Sequence, residues 1–467
     1  MALVLEHHQE VVKRAMLRGV QQPKKHATGL LAFYEVGTGK TLAALDAAKA
    51  YLEEKQHQAH VYVLTTLANK ESTWGRDWTT SKRAISGDSA PYTRRVSWHT
   101  KNDLFSMTLK QPYMLVVDEA HLLRNAESQG YGELLPICQT AEFVLLLTAT
   151  PMVRDIKDLN ALYAYMTGDD DEIVDKHTAP ADVGALFRKR ILFKEQDRSR
   201  FPEVHTEERV VRVGDEYEVF FSQDKKLFNE IKRNLHLQHI KNEPWKKTIA
   251  RVCVTGVTLK GLNPFLVNGR QVCNRTKYPE LFQCLRQEPY TQVVVFSNFR
   301  DHGVMGFFES LCHQHKFRRS SKKEFECCVR AEGLGRRVEV VMWHNDHFRA
   351  ITKWQAKQDQ TVRVLLITPM AREGLSLKGV QRFHVLEPSW NKSDEEQAIG
   401  RAVRLTSHAH LPAAERVVRV TKWSAEYKPG CQTSDERVHE LADEKDAAIA
   451  PFRKKLRIEG AKYVGKL

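Results

Sequence analysis

The chain has 467 residues, enough for two or three domains that each bury a core. Its 72 Lys and Arg outnumber 58 Asp and Glu, giving a formal net charge of +14 that favours a polyanionic partner. None of the eight cysteines forms a CxxC pair, which argues against a zinc ribbon or iron–sulphur cluster, and no apolar stretch reaches membrane-spanning length.

In chain order, the opening MALVLEHHQEVVKRAM lacks an apolar signal-like core, so a soluble intracellular protein is expected. The apolar run Leu30–Phe33 leads into Glu35-Val-Gly-Thr-Gly-Lys-Thr41, followed by a helical stretch from Leu42 to Leu52. This reads as a phosphate-binding loop. Gly37 and Gly39 let the backbone amides, including that of Thr38, crowd the phosphates. Lys40 meets the β/γ charge and Thr41 takes Mg²⁺. Tyr34 stands where the usual GxxxxGK[ST] pattern has its first glycine. A second run, Tyr113–Val117, delivers Asp118-Glu-Ala-His121 to a strand end, where open α/β sheets bind ligands. Asp118 is assigned to Mg²⁺, and Glu119 to positioning and deprotonating the attacking water. Together the two segments predict hydrolysis of a nucleoside triphosphate.

Short Val/Leu-rich runs separated by longer polar-patterned segments predict two parallel sheets covered by helices on both faces. The first takes Leu30–Phe33, Val61–Thr65, Tyr113–Val117 and Phe143–Thr148, with Arg190–Phe193 as an edge. The second takes Gln292–Ser297, Val338–Trp343, Val362–Thr368, Phe383–Glu387 and Arg416–Val420. Between them, Phe220, Phe221, Leu227, Ile231 and Leu235 recur at helical spacing within Tyr217–Gln238. The closing segment Ser434–Gly460 reads as one or two charged helices broken at Pro451. Near the end of the second set, Gln397, Arg401 and Arg404 recur at about one helical turn and should share a face. The loop after Thr368 is centred on Gly374, which permits close backbone approach to a ligand. The basic run Lys316–Arg337 is either a solvated loop or a loop facing nucleic acid. Cys312-His-Gln-His315 and Cys327-Cys328 are the only crowded thiol sites, read as ordinary thiols rather than metal ligands.

In this order, Gln9, the GTGKT loop, Val63-Leu-Thr-Thr66 with Trp74, DEAH and Leu147-Thr-Ala-Thr-Pro151 resemble the motif series of superfamily 2 helicases. Val293-Val-Val-Phe-Ser-Asn-Phe299, Glu373-Gly-Leu375 and Gln397–Arg404 complete the series. The runs DEAHLLRN, LLLTATPMVRDIKDL, VVVFSNF and WNKSDEEQAIGRAVR look most like the Swi/Snf-type branch, and Arg404–Pro412 with the closing helix that opens at Ser434-Asp-Glu-Arg437 is similar to the compact versions encoded by large DNA viruses. The resemblance implies an α/β fold: a RecA-like lobe over 1–205, a helical connector over 206–288, a second lobe over 289–425 and a helical extension over 426–467. It also implies ATP with Mg²⁺ in the cleft between lobes, and adenine recognition by Gln9. Thr148, Thr150, His121 and Gly374 would couple nucleotide state to the polymer. Arg401 and Arg404 would be arginine fingers, and Gln397 would contact the same site or His121. Thr66, Asn298, Thr368 and Lys378 would meet a nucleic-acid backbone. DNA is expected over RNA, with transcription-complex proteins as further partners and no membrane. If the chain is viral, it belongs in the virion or the infected cell.

Overall fold

The computed structural model describes residues 5–21, 28–70, 74, 95–214, 266–287, 290–322, 325–330, 337–342, 348–355, 357, 359, 361–372, 375, 377–429 and 431–467. The predicted helix within Tyr217–Gln238 and the loop residue Gly374 lie outside them. Two compact units are present: residues 1–199 with 445–467, and residues 200–444.

The first unit is built on a six-stranded parallel sheet in the order β3-β2-β4-β5-β1-β6. Its strands are β1 (Thr28–Tyr34), β2 (His60–Leu64), β3 (Val96–His99), β4 (Tyr113–Val117), β5 (Phe143–Thr148) and β6 (Ile191–Lys194). Continuous apolar runs form the central strands because both faces are covered. Alternate side chains divide between two cores. Leu31, Phe33, Leu115, Val117, Val144 and Leu146 enter one, and Leu30, Ala32, Met114, Val116, Leu145 and Leu147 the other. On the second face lies the helix Lys40–Glu54, whose Ala43, Ala44, Ala47 and Ala48 admit close packing. The helix His7–Gln21 adds Val11, Val12, Ala15 and Met16 to the same core.

An eight-stranded, largely parallel sheet forms the second unit, in the order β7-β14-β13-β8-β12-β11-β10-β9. The parallel strands are β7 (Glu203–Arg212), β8 (Gln292–Phe296), β11 (Val338–Met342), β12 (Val362–Ile367), β13 (Arg382–Val385) and β14 (Val417–Glu426). The antiparallel pair β9 (Arg318–Lys322) and β10 (Phe325–Arg330) adds the far edge. Val293, Val295, Val364 and Leu366 face one core; Val294, Phe296, Leu365 and Ile367 face the other. These are the expected parallel sheets covered on both faces.

Several local expectations change. The basic run Lys316–Arg337 is not simply a loop, because β9 and β10 occupy much of it. Cys327 and Cys328 go to opposite cores, as period-two alternation on β10 requires. Residues 206–212, placed in the connector by sequence, belong to β7, which pairs with β14 from Glu203 to Arg212. Pro451 does not break the last helix, which runs from Ser434 to Val464. Proline removes one helical hydrogen bond, but buried Ile449 and Leu456 on either side anchor the segment in the first unit's core. Among the described residues, no helix is long and apolar enough to cross a membrane.

Candidate nucleotide and nucleic-acid site

The phosphate loop leaves β1 at its C-terminal end, and Gly37 and Gly39 adopt φ of 82° and 84°. Only glycine takes this left-handed backbone readily, so the loop can turn its amides inward. Gly39 is the N-cap of Lys40–Glu54, and no side chain caps that end. The first-turn amides and the helix dipole therefore stay available to an anion. A Cβ on Gly39 would lie 2.2 Å from Gln9 Nε2, so the Gln9 amide rests directly against the loop. Two neighbours fix that approach: His8 Nε2 lies 2.8 Å from the Thr38 carbonyl, and Glu6 N–H donates to Gln9 Oε1 at 3.0 Å. Tyr34, the departure from the usual loop pattern, is fully buried and donates its hydroxyl to the His8 carbonyl at 2.5 Å. Its side chain thus ties the first helix to the loop. Lys40 Nζ donates to the carbonyls of Tyr34 (2.9 Å) and Glu35 (3.4 Å).

At the end of β4, Asp118 Oδ2 accepts from Thr65 Oγ1 (2.9 Å), Trp74 Nε1 (2.9 Å) and Asn69 Nδ2 (3.3 Å). Burial pushes the Asp118 carboxyl up and the adjacent Glu119 charge adds to this, while Trp74, Thr65 and Lys40 pull it down. Oδ1 receives the Glu119 amide at 3.1 Å. Such outer-shell donors orient a carboxylate for a metal. With the Thr41 hydroxyl at the helix start, the donor set is hard oxygen, which fits Mg²⁺. Glu119 itself sits at φ 48° and ψ 47°, an uncommon conformation for a non-glycine residue.

The strand between β4 and β1 is β5, and its end completes a polar chain. Glu119 Oε2 lies 3.5 Å from His121 Nδ1, which is 3.0 Å from Thr148 Oγ1. Thr148 Oγ1 in turn accepts the Thr150 amide at 3.0 Å. A second tie joins the same segments: Arg124 donates Nη1–H to the His121 carbonyl at 2.5 Å and pairs through Nε with Asp158 at 3.1 Å. Asp158 Oδ2 also accepts the amides of Val153 and Arg154. These contacts connect Glu119 to the end of β5 and to the segment that follows it.

In the second unit, the arginine motif is not one continuous helix. The helix Lys392–Ile399 ends at Gly400; Arg401 follows on a turn and Arg404 lies in irregular backbone beyond it. Glycine is a poor helix former, and the Arg404 amide is taken by Ser407 Oγ at 3.3 Å. Arg404 Nε donates to the Gly400 carbonyl at 3.3 Å, and His408 Nε2 lies 2.8 Å from the Val380 carbonyl. The Arg401 carbonyl accepts the Leu377 amide, placing exposed Lys378 beside that segment. Gln397, Arg401 and Arg404 are all half-buried.

The other proposed polymer contacts differ in how far they are engaged. Thr66 caps the short turn Leu67–Asn69 by accepting the Asn69 amide. Asn298 spends its Nδ2 on Glu387 (3.1 Å) and Ser389 (3.0 Å). Thr368 is half-buried just past β12.

Sequence reasoning missed the groups that hold these residues. Thr65 and Asn69 orient Asp118, and fully buried Glu387 gathers Ser297, Asn298 and Asn274. Burial pushes the Glu387 carboxyl up, and Arg270 and Lys277 oppose that shift. Lys277 Nζ donates to the Leu386 carbonyl at 2.8 Å and also pairs with Asp435.

Residues 276–406 match the helicase conserved C-terminal domain. A protein of Acanthamoeba polyphaga mimivirus that carries the name ATP-dependent RNA helicase is 24% identical over 90% of this chain and 89% of its own length. The African swine fever virus termination factor NPH-I homologue is 33% identical over 21% of this chain and 15% of its own. Nucleoside triphosphatase I of Choristoneura fumiferana entomopoxvirus is 23% identical over 28% and 20%.

Proposed function

We propose that this chain is a superfamily 2 helicase-type ATPase whose ATP turnover is stimulated by duplex DNA and drives movement along it. It is a nucleic-acid-dependent, ATP-hydrolysing enzyme of helicase type. The observation that carries the catalytic reading is the linked set Asp118, Glu119, His121 and Thr148 at the ends of β4 and β5, with Lys40 held at the loop that follows β1. In this reading Lys40 and the amides of Gly37–Thr41 bind the phosphates, with Gln9 on the adenine. Glu119 takes the proton of the attacking water. Asp118 and Thr41 would hold Mg²⁺, which would supply charge neutralisation at the phosphates. Arg401 and Arg404 stabilise the charge that develops on the γ-phosphoryl group, with Gln397 beside them. His121, Thr148, Thr150 and Gly374 relay the nucleotide state. Thr66, Asn298, Thr368 and Lys378 are proposed to face the polymer.

Support for DNA over RNA comes from the Swi/Snf-like runs DEAHLLRN and WNKSDEEQAIGRAVR. The name of the mimivirus relative favours RNA, and the termination-factor relative favours a subunit of a viral transcription complex. Parallel ATPase rates without nucleic acid and with duplex DNA, single-stranded DNA or RNA separate these readings. The expected result is strong stimulation by duplex DNA; stimulation by RNA alone would replace the DNA reading.

Because the net charge is +14, affinity should rest on phosphate contacts. Log affinity for duplex DNA is then expected to fall linearly with log salt, by about 0.9 per phosphate neutralised. Tight, salt-insensitive binding to a single base sequence would contradict this.

A further inference from the structure

The C-terminal helix Ser434–Val464 reaches the base of the phosphate loop through its later half, which belongs to the first unit. Ile449 and Leu456 are buried in that unit's core, with Phe452 packed against it. Gly460 marks the closest approach to edge strand β6: a Cβ there would meet Phe193 N and Phe193 Cβ at 2.7 Å. Only a glycine lets the helix backbone lie this near a strand. Arg457 is about one turn earlier on the same helix. Its guanidinium lies 5.7 Å from the Phe33 ring and 5.2 Å from the Phe193 ring, the cation-over-aromatic arrangement arginine favours. From there Nη2 pairs with Glu35 Oε1 at 2.8 Å.

Glu35 is the first residue of the loop, and three bonds fix it. Besides Arg457, its Oε2 accepts the Gln196 amide at 3.0 Å and its own amide donates to the Lys194 carbonyl at 3.1 Å. The Glu35 carbonyl meanwhile accepts from Thr38 Oγ1 (2.8 Å) and Lys40 Nζ (3.4 Å). Glu35 is thus the fixed post on which the loop's conformation and the lysine's position depend.

We propose that Arg457 is a positioning residue of the phosphate loop: by gripping Glu35 from the C-terminal helix, it sets the affinity of the loop for ATP. The proposal rests on the reading of residues 35–41 as the ATP site. Arginine suits the role because a planar guanidinium can stack on two rings and still direct an N–H at a carboxylate. Lysine could keep the ion pair but would lose the planar stack.

The test is equilibrium binding of a fluorescent ATP analogue to the full chain, with single-turnover hydrolysis and thermal midpoint measured in parallel. Arg457→Ala is expected to weaken binding by roughly 2–30-fold, the range typical of residues that modulate a site without touching its ligand. The hydrolysis rate of the bound nucleotide should change little. Arg457→Lys should recover part of the loss. Glu35→Gln should reproduce the effect, and the double variant should be no worse than the single ones, because both remove one interaction. Unchanged affinity in Arg457→Ala, or losses that add in the double variant, would overturn the proposal. A lowered thermal midpoint with unchanged affinity would likewise reduce Arg457 to a docking contact. Should Arg457→Ala fail to fold, Arg457→Lys and Glu35→Gln carry the same comparison. Lys40→Ala serves as the reference: if it too binds the analogue normally, the loop itself is misassigned. Loss in Lys40→Ala alone rejects only the role of Arg457.

Discussion

Glu119→Gln should bind ATP and turn it over roughly 10²–10⁴-fold more slowly than the wild-type chain. The substitution keeps the size of the side chain and removes its capacity to accept a proton from water. It leaves in place the shell that orients Asp118, since Thr65, Asn69 and Trp74 all donate to Asp118 rather than to Glu119. Nucleotide should therefore accumulate unhydrolysed on the protein. Lys40→Ala should fail at an earlier step. It removes the cation at the loop, so affinity for the triphosphate falls before any chemistry begins. Measuring ATP affinity and single-turnover rate for both variants separates the two roles. Near-wild-type hydrolysis by Glu119→Gln would remove it as the catalytic base, and unchanged affinity in Lys40→Ala would remove that residue from the phosphate site.

The parts of the molecule legible in the sequence are those whose signal is local. Tyr113–Val117 and Phe143–Thr148 are continuous apolar runs because helices cover both faces of the sheet, and they form strands over those same residues. The residues at the ends of such runs, Lys40 and Asp118, carried a chemical pattern that no packing detail could hide. Edge strands were harder to see. Glu203–Arg212 is mostly exposed and polar, so its alternation is weak, and its ten-residue pairing with Val417–Glu426 depends on a partner more than 200 residues away. Val96–His99 is short and, among the described residues, pairs only with β2. The supporting shells were invisible for a related reason. Nothing near Glu387 in sequence announces that Asn274 and Ser297, roughly a hundred residues earlier, will donate to it. Conversely, two helix boundaries were misjudged because tertiary packing overrode local preference at Pro451, and a single glycine ended the helix before Arg401. Tyr34 is the instructive case. It departs from the glycine pattern, and its hydroxyl anchors the helix that carries Gln9.

Arg401→Ala and Arg404→Ala test whether residues of the second unit take part in chemistry at a loop that belongs to the first. Loss of an arginine finger typically costs about 10³–10⁵ in rate, because the guanidinium acts on charge that develops in the transition state. Each variant should therefore lose kcat while keeping most of its affinity for ATP, and stimulation by nucleic acid should disappear with it. The local structure makes the alternative concrete. Both side chains are half-buried, and Arg404 Nε already donates to the Gly400 carbonyl. If that bond were the whole purpose of Arg404, its removal would loosen one turn and leave the rate within a few-fold of wild type. Ser407 and His408 hold the same turn independently through the Arg404 amide and the Val380 carbonyl. The backbone should thus survive the substitution, so a collapse in kcat could not be assigned to unfolding of the motif. Thermal midpoints measured beside kcat at saturating DNA make the distinction directly. Full DNA-stimulated turnover in both variants would show that neither arginine acts on the γ-phosphoryl group.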